Sequence, residues 1–177
     1  MYKRQVTGRR TEDSLAGFVD ADRIDTAVAR LEDLEVELAA GTIALPGARE
    51  LLSAIPGRRW AIATSASKRL GSARWAGAGI PTPQVVVTAE DVANGIPDPE
   101  PYLLAADRLG VDIAECIVVE DSPGGAASGH AAGAQVLAVG DQPWPTEPVG
   151  RVRDLRDVTC NVTDDGQLSL VVTSESV

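Results

Sequence analysis

Between Ile24 and Leu38 the apolar residues Ile24, Val28, Leu31, Leu34 and Leu38 recur every three to four positions. That spacing predicts one amphipathic helix over Asp25 to Ala40. Ahead of it, Thr11-Glu12-Asp13-Ser14 offers a capping residue with acids in a first helical turn. Residues 1–45 hold no strand-like run. Leu45-Pro46-Gly47 breaks the chain, and Ala48 to Ile55 forms a short helix ended by Pro56-Gly57. The texture then changes. Short apolar runs at Trp60–Thr64, Val85–Val87, Ile117–Val119 and Val136–Val139 alternate with helical stretches. Those stretches are Ser67 to Ala78, Asp98 to Leu109 and Ala126 to Ala132, closing at Gly79, Gly110 and Gly133. Strands alternating with helices predict an α/β fold of βαβ units, a parallel sheet and right-handed connections. Beyond Gly140 the pattern loosens. Asp141 to Gly150 holds three prolines and reads as a surface loop. Asp154 to Val158 reads as a turn or a short strand, Leu168 to Val172 as a final edge strand, and Ser174 to Val177 as frayed.

Composition narrows the classes. A chain of 177 residues suits one full domain, or one domain with a small appendage. Aromatics make up only 3%, so the core is drawn mostly from Ala, Val, Leu and Ile. A net charge of −10 argues against electrostatic binding of nucleic acid. No apolar run approaches the roughly 20 residues of a membrane span, and no apolar stretch follows the basic N-terminal residues as in a secretory signal. Cys116 and Cys160 lie far apart with no CxxC pattern. They predict buried thiols in a reducing, cytoplasmic setting and no zinc site.

Candidate chemistry gathers where strands end. Carboxylates at the carboxyl end of a parallel strand sit where such sheets bind ligands. Glu120 and Asp121 follow the Ile117–Val119 run and precede Ser122-Pro123-Gly124-Gly125. Two adjacent acids repel unless a cation joins them, and Mg²⁺ prefers oxygen ligands; the alternative is a solvated acidic turn. After the first run, the hydroxyls of Thr64 and Ser65 suit a phosphate oxygen near open backbone N–H groups. Equally, Ser65 or Ser67 caps the next helix. Lys68 either lends charge to an anion or is a solvated surface lysine. Glu90 and Asp91 read as a first helical turn without chemistry. Asn94 to Tyr102, with three prolines and a glycine, reads as a rigid loop entering a helix at Asp98. His130, the one histidine, reads as structural or exposed rather than as a base.

Taken in order, these stretches resemble the haloacid dehalogenase (HAD) superfamily, in particular its β-phosphoglucomutase and small sugar- or polyol-phosphate phosphatase subgroup. The likeness runs from about Leu45 to Val139. It rests on Val118-Val119-Glu120-Asp121-Ser122-Pro123-Gly124-Gly125 with Ala131-Ala132-Gly133-Ala134, on Ala63-Thr64-Ser65-Ala66-Ser67, and on Gly95-Ile96-Pro97-Asp98-Pro99-Glu100-Pro101-Tyr102. The resemblance implies a Rossmann-like, three-layer parallel core over residues 44–177 with a partial helical cap over residues 1–43. It further implies Mg²⁺ at Glu120 and Asp121, a phosphoryl-binding hydroxyl at Ser65 with Thr64 beside it, and Lys68 near the phosphate. The cap stretch Thr7 to Asp13 implies that Arg9 or Arg10 meets the distal part of a small phosphorylated metabolite; a surface salt bridge is the other role for them.

Two departures qualify this picture. The family's nucleophile opens an Asp-x-Asp-Gly-Thr motif at the tip of a first strand, and no such motif is in this sequence. The family's third-motif lysine is Ile96 here. The expectation is therefore an N-terminally truncated HAD-type phosphatase. By lineage it hydrolyses a small phosphomonoester through an aspartyl-phosphate, with weak or no activity as an isolated chain. A non-catalytic module that binds phosphate or a partner is the alternative. The expected state is a monomer, or a weak dimer through a sheet edge left open by the absent strand.

Overall fold

The computed structural model describes residues 10–16, 18–163 and 167–173. Helices α1 (Thr11–Leu15) and α2 (Ile24–Leu38) come first, then α3 (Ala48–Ala54), β1 (Ala61–Ala63), α4 (Lys68–Gly77) and β2 (Val85–Val87). The chain continues through α5 (Glu100–Leu109), β3 (Ile117–Glu120), α6 (Pro123–Ala132), β4 (Gln135–Val139), β5 (Gly150–Val152), β6 (Val158–Val162) and β7 (Leu168–Val172). The expected α/β alternation is present.

The strands form three ladders rather than one sheet. β1 pairs with β2 in parallel, Ala61 opposite Val85 and Ala63 opposite Val87. β3, β4 and β5 form a second parallel set, with Val118 opposite Val136 and Ala138 opposite Arg151. β6 and β7 form an antiparallel hairpin. Among the described residues no ladder joins β1 to β3. What unites the two parallel sets is the helical layer. α5 packs on β1 and β2 and against α6, while α6 packs on β3 and β4.

β4 is the strand buried on both faces, which its continuous apolar run requires. Alternate side chains enter different cores. Val136 joins Ile96, Tyr102, Val118 and Ala126 beneath α5 and α6, and Leu137 and Val139 join Ala48, Leu51, Val152, Leu155 and Val158 on the other face. Gly129 lets α6 approach the sheet, since a Cβ there would lie 3.1 Å from both Val118 and Val136. Gly47 ties α3 to the far end of the chain. Its φ is +83°, and an added Cβ would stand 2.2 Å from the Leu155 carbonyl carbon.

Helix α2 docks on α4, and α1 packs on α2. Glu32 accepts from Ser67 Oγ, and Asp33 and Glu35 pair with Arg69 and Arg74 at 2.7 and 2.8 Å. Both ion pairs are largely exposed, so each contributes little. Close packing does more: Gly77 leaves so little room that a Cβ would meet the Ala39 carbonyl at 2.1 Å.

Several boundaries differ from the sequence reading. α1 has Arg10 before it and no side-chain cap, so Thr11 is its first helical residue. α6 begins at Pro123, three residues before Ala126, because Ser122 caps it and proline is pre-set for a first turn. Residues 150–152 are a strand where the sequence reading had a loop ending at Gly150 and no element directly after it, for Arg151 interrupts any apolar run. The Asp154–Val158 segment is a turn leading into β6. The Leu168–Val172 strand lies where expected, paired to β6. Both cysteines are free and half-buried rather than fully buried. Ser174 to Val177 lie outside the described residues.

Gly47→Ala is expected to destabilise the fold by about 2 kcal/mol or more, from a backbone clash and an unfavourable φ; denaturant unfolding monitored by circular dichroism measures it. A second prediction concerns acid. Asp91 accepts from the Thr88 N–H and hydroxyl at 2.9 and 2.8 Å and from Arg108 at 2.7 Å. These bonds, that of the Thr88 backbone first, lower its pKa from 3.8 to about 2. Because the folded value is depressed, its stabilisation is full above about pH 4 and is lost as pH falls toward 2. Asp91→Asn should lower stability by about 1 kcal/mol at neutral pH and flatten the acid limb of the stability curve.

Candidate active site

β3 delivers Glu120 to its carboxyl end, and the side chain turns inward. Tyr102, from α5, donates its hydroxyl to one carboxylate oxygen. Ser122 donates to the other through its N–H at 3.2 Å and its hydroxyl at 2.9 Å. The Ser122 oxygen in turn accepts from Gly125 N at 3.0 Å, capping α6. Gly125 makes room for this carboxylate, as a Cβ there would fall 2.1 Å from the Glu120 carboxyl carbon and displace it. Burial raises the pKa of Glu120, against the lowering pull of the Tyr102 and Ser122 hydrogen bonds. Burial also pushes the Tyr102 phenol well above its usual value, with the Glu120 charge adding to it. Asp121, the next residue, is exposed.

The loops after β1 and β2 interlock. Thr64 extends the ladder by donating to the Val87 carbonyl at 2.9 Å, and its hydroxyl accepts from Ala66 N at 3.1 Å. Ser67 is the cap of α4, accepting from Leu70 N at 3.1 Å. Its hydroxyl therefore belongs to the helix and to Glu32. Ser65 sits half-buried between Thr64 and this cap. The Lys68 N–H, at the head of α4, is held by both oxygens of Glu90 at 3.1 Å. That carboxylate occupies a helix-terminal position read from sequence as open to an anion. The Lys68 side chain is exposed.

Arg10 makes its hydrogen bonds within the protein. Its guanidinium donates to the carbonyls of Ala89, Val92 and Ala93 at 3.2, 2.6 and 3.1 Å. Gly95 packs against the arginine stem, where a Cβ would lie 2.6 Å from Nε. Arg10 thus clamps the loop after β2. Arg9 lies outside the described residues. The same loop is fixed from its other end, where Glu100 accepts from Ala93 N and Asn94 N at 2.8 and 2.7 Å. Ile96 is 4% exposed and belongs to the core beneath α5 and α6. His130 is half-buried on α6, and its Nε2 finds no partner among the described residues.

The geometry brings Glu120 and Ser122, read from sequence as one stretch, together with Tyr102, which sequence reasoning had not joined to them. Tyr102 carried a signal, being an aromatic one turn into a helix in a chain poor in aromatics. The Thr64–Ser65 turn ends β1 as Glu120 ends β3, and Ala63 and Val118 pack on one core. Among the described residues no three carboxylate, histidine or cysteine side chains gather to hold a metal. The donors present are Glu120 and Asp121, two oxygen-bearing groups that fit a hard cation as part of its shell. A shallow concavity of about 580 Å³ lies against α5, lined by Asp91, Asp98, Glu100, Leu103, Leu104 and Asp107. It gathers none of the predicted site residues, and Asp91, Asp98 and Glu100 are already hydrogen-bonded within the protein.

A sequence profile of haloacid dehalogenase-like hydrolases matches residues 3–133. Hexitol phosphatase A of Escherichia coli is 49% identical over 127 residues, covering 71% of this chain and 58% of that protein. Glycerol-1-phosphate phosphohydrolase 2 of Saccharomyces cerevisiae is 36% identical over 143 residues, covering 75% and 57%. The chain thus spans somewhat over half the length of these relatives. Among solved structures, a β-phosphoglucomutase from Clostridium difficile superimposes with a TM-score of 0.74 at 20% identity, covering 84% of this chain and 72% of that one. At that identity the likeness is one of fold.

Tyr102→Phe should destabilise the protein by about 1–3 kcal/mol, since it leaves a buried carboxylate short of a donor. Adding Glu120→Gln should recover part of the loss, because the charge is then gone; a double-mutant cycle in urea reads this coupling.

Proposed function

The chain belongs to the haloacid dehalogenase-like hydrolases, and on that footing we propose that it serves the hydrolysis of a small phosphomonoester, a sugar or polyol phosphate. The observation that carries this reading is the desolvated Glu120 at the tip of β3, fixed by Tyr102 and Ser122 beside exposed Asp121. Support also comes from the two phosphatases to which the chain is similar over most of its length. Thr64 and Ser65 are the hydroxyls for the phosphoryl oxygens. Glu120 and Asp121 are the protein's ligands for Mg²⁺, which when bound neutralises charge on the phosphoryl group. Lys68 is near enough to the Ser65 turn in sequence to attract an anion as it approaches.

The reaction by this reading passes through an aspartyl-phosphate, formed by carboxylate attack on phosphorus and opened by water. The sequence contains no Asp-x-Asp-Gly-Thr. This chain therefore contributes the hydroxyl and carboxylate parts of the site and not a recognisable nucleophile. Losing such a group removes several powers of ten in rate. Ile96, in place of a lysine, removes a cation as well, and one lost charge-stabilising donor costs roughly 10²–10³ in kcat.

That same Ile96, buried in the core, favours a second reading: a non-catalytic module that binds a phosphate ester. Turnover and binding test them together. With the chain alone, p-nitrophenyl phosphate turnover in Mg²⁺ is expected at the buffer blank, while calorimetry with Mg²⁺ and inorganic phosphate shows weak binding lost in Asp121→Asn and reduced in Ser65→Ala. Mg²⁺-dependent turnover abolished by Asp121→Asn would show that the chain holds a working nucleophile. Absence of any phosphate or Mg²⁺ binding would remove both readings.

A further inference from the structure

The hydrogen bonds to Glu120 are unevenly divided between its two oxygens. Among the described residues Oε1 accepts from the Tyr102 hydroxyl alone. Oε2 accepts twice, from the Ser122 N–H at 3.2 Å and from the Ser122 hydroxyl at 2.9 Å. An ionised carboxylate has about four acceptor positions, two on each oxygen. Oε2 is therefore filled, and Oε1 keeps one position open. The Ser122 hydroxyl has little freedom to leave. Its oxygen is held by Gly125 N at 3.0 Å as the cap of α6. The residue is 3% exposed, so water is no alternative acceptor for its proton.

One flat face of the carboxylate is closed as well. A Cβ on Gly125 would stand 2.1 Å from the carboxyl carbon and 2.2 Å from each oxygen. These near-equal distances place the start of α6 over that face. A cation takes the in-plane lone pairs, as a hydrogen-bond donor does, and of these only the one on Oε1 is free. Divalent cations differ in how they use a carboxylate. Ca²⁺ accepts a crowded, flexible shell and takes both oxygens of one carboxylate readily, whereas Mg²⁺ demands a near-ideal octahedron. The two oxygens of one carboxylate subtend too narrow an angle for that octahedron, so Mg²⁺ binds through one.

We propose that Ser122 is a positioning residue that confines Glu120 to ligation through Oε1, and so disfavours Ca²⁺ relative to Mg²⁺ at the tip of β3. The proposal rests on the reading of Glu120 and Asp121 as cation ligands. Tyr102 and Ser122 play unequal parts in it. Tyr102 bonds to the oxygen that ligates, and Ser122 to the oxygen withheld. Loss of the Ser122 hydroxyl opens a position on Oε2. Loss of the Tyr102 hydroxyl leaves Oε2 filled.

Ser122→Gly removes the hydroxyl at little cost to the cap. Calorimetry on the full chain, with Mg²⁺ alone and with Ca²⁺ alone, gives two affinities for each variant. Ser122→Gly should raise the ratio of Ca²⁺ to Mg²⁺ affinity about tenfold, the worth of one bond to a charged group. Ser122→Thr, which keeps the hydroxyl, should keep the wild-type ratio. Tyr102→Phe should leave the ratio unmoved even where both affinities change. A loss in Ser122→Gly that lowers both affinities in step is merely structural and would overturn the proposal, as would an equal rise of the ratio in Tyr102→Phe. Infrared spectra of the wild type decide even where Ser122→Gly does not fold, because carboxylate stretches separate one-oxygen from two-oxygen ligation. The Ca²⁺-induced change that is missing from Glu120→Gln reports Glu120, and a two-oxygen signature there sinks the idea. If neither ion binds, or no Glu120 signal appears, the ligand reading itself fails and takes the proposal with it. Binding of both ions with an unmoved ratio in Ser122→Gly strikes the proposal alone.

Discussion

The placement of everything near Glu120 depends on helix α5. β1–β2 and β3–β4–β5 share no ladder among the described residues, so no sheet hydrogen bond fixes one set against the other. α5 does so, by packing on the first set and reaching the second through Tyr102. The bond it makes is to a buried carboxylate. A charge taken from water is expensive unless hydrogen bonds replace its hydration. Tyr102 and both donors of Ser122 supply that replacement, and burial still leaves the Glu120 pKa raised. The carboxylate keeps this position because residue 125 is a glycine; a Cβ there would displace it.

The same economy of donors and acceptors explains the loops. Arg10, read from sequence as a substrate contact or a surface salt bridge, directs its guanidinium to carbonyls of the loop after β2. Glu90, read as a first-turn acid, holds the head of α4. Glu100 holds the backbone of residues 93 and 94. Backbone groups in turns lack ladder partners and take side chains instead. Charged residues near a strand end are therefore structural until a contact says otherwise.

The alternating pattern made the elements legible because it reports local burial, and Val85–Val87 coincides with its strand. Ser67 as a cap and Gly110 and Gly133 as helix stops were equally readable, since caps are local chemistry. The motif around Glu120 and Asp121 could be found for the same reason. What pattern alone did not give was pairing. The Tyr102–Glu120 bond spans eighteen positions, and Arg10 reaches its carbonyls across about eighty. Such contacts arise from packing between elements, which no local window carries. β5 was missed because three residues with a central arginine hold too little signal.

Glu120 and Asp121 are neighbours in sequence but not in character. One is desolvated and bonded to three donors; the other is exposed. On the proposed reading, a cation arriving there meets exposed Asp121 first, and gains Glu120 only where its charge outweighs the hydrogen bonds already made. A phosphate ester at the same place faces the opposite problem. Ile96 offers it no charge, Arg10 is committed to carbonyls, and Lys68 is exposed. Two adjacent acids, Glu120 and Asp121, repel an anion at the tip of β3 unless a dication accompanies it. If the site takes both a metal and a phosphate as proposed, these charges favour the metal binding first.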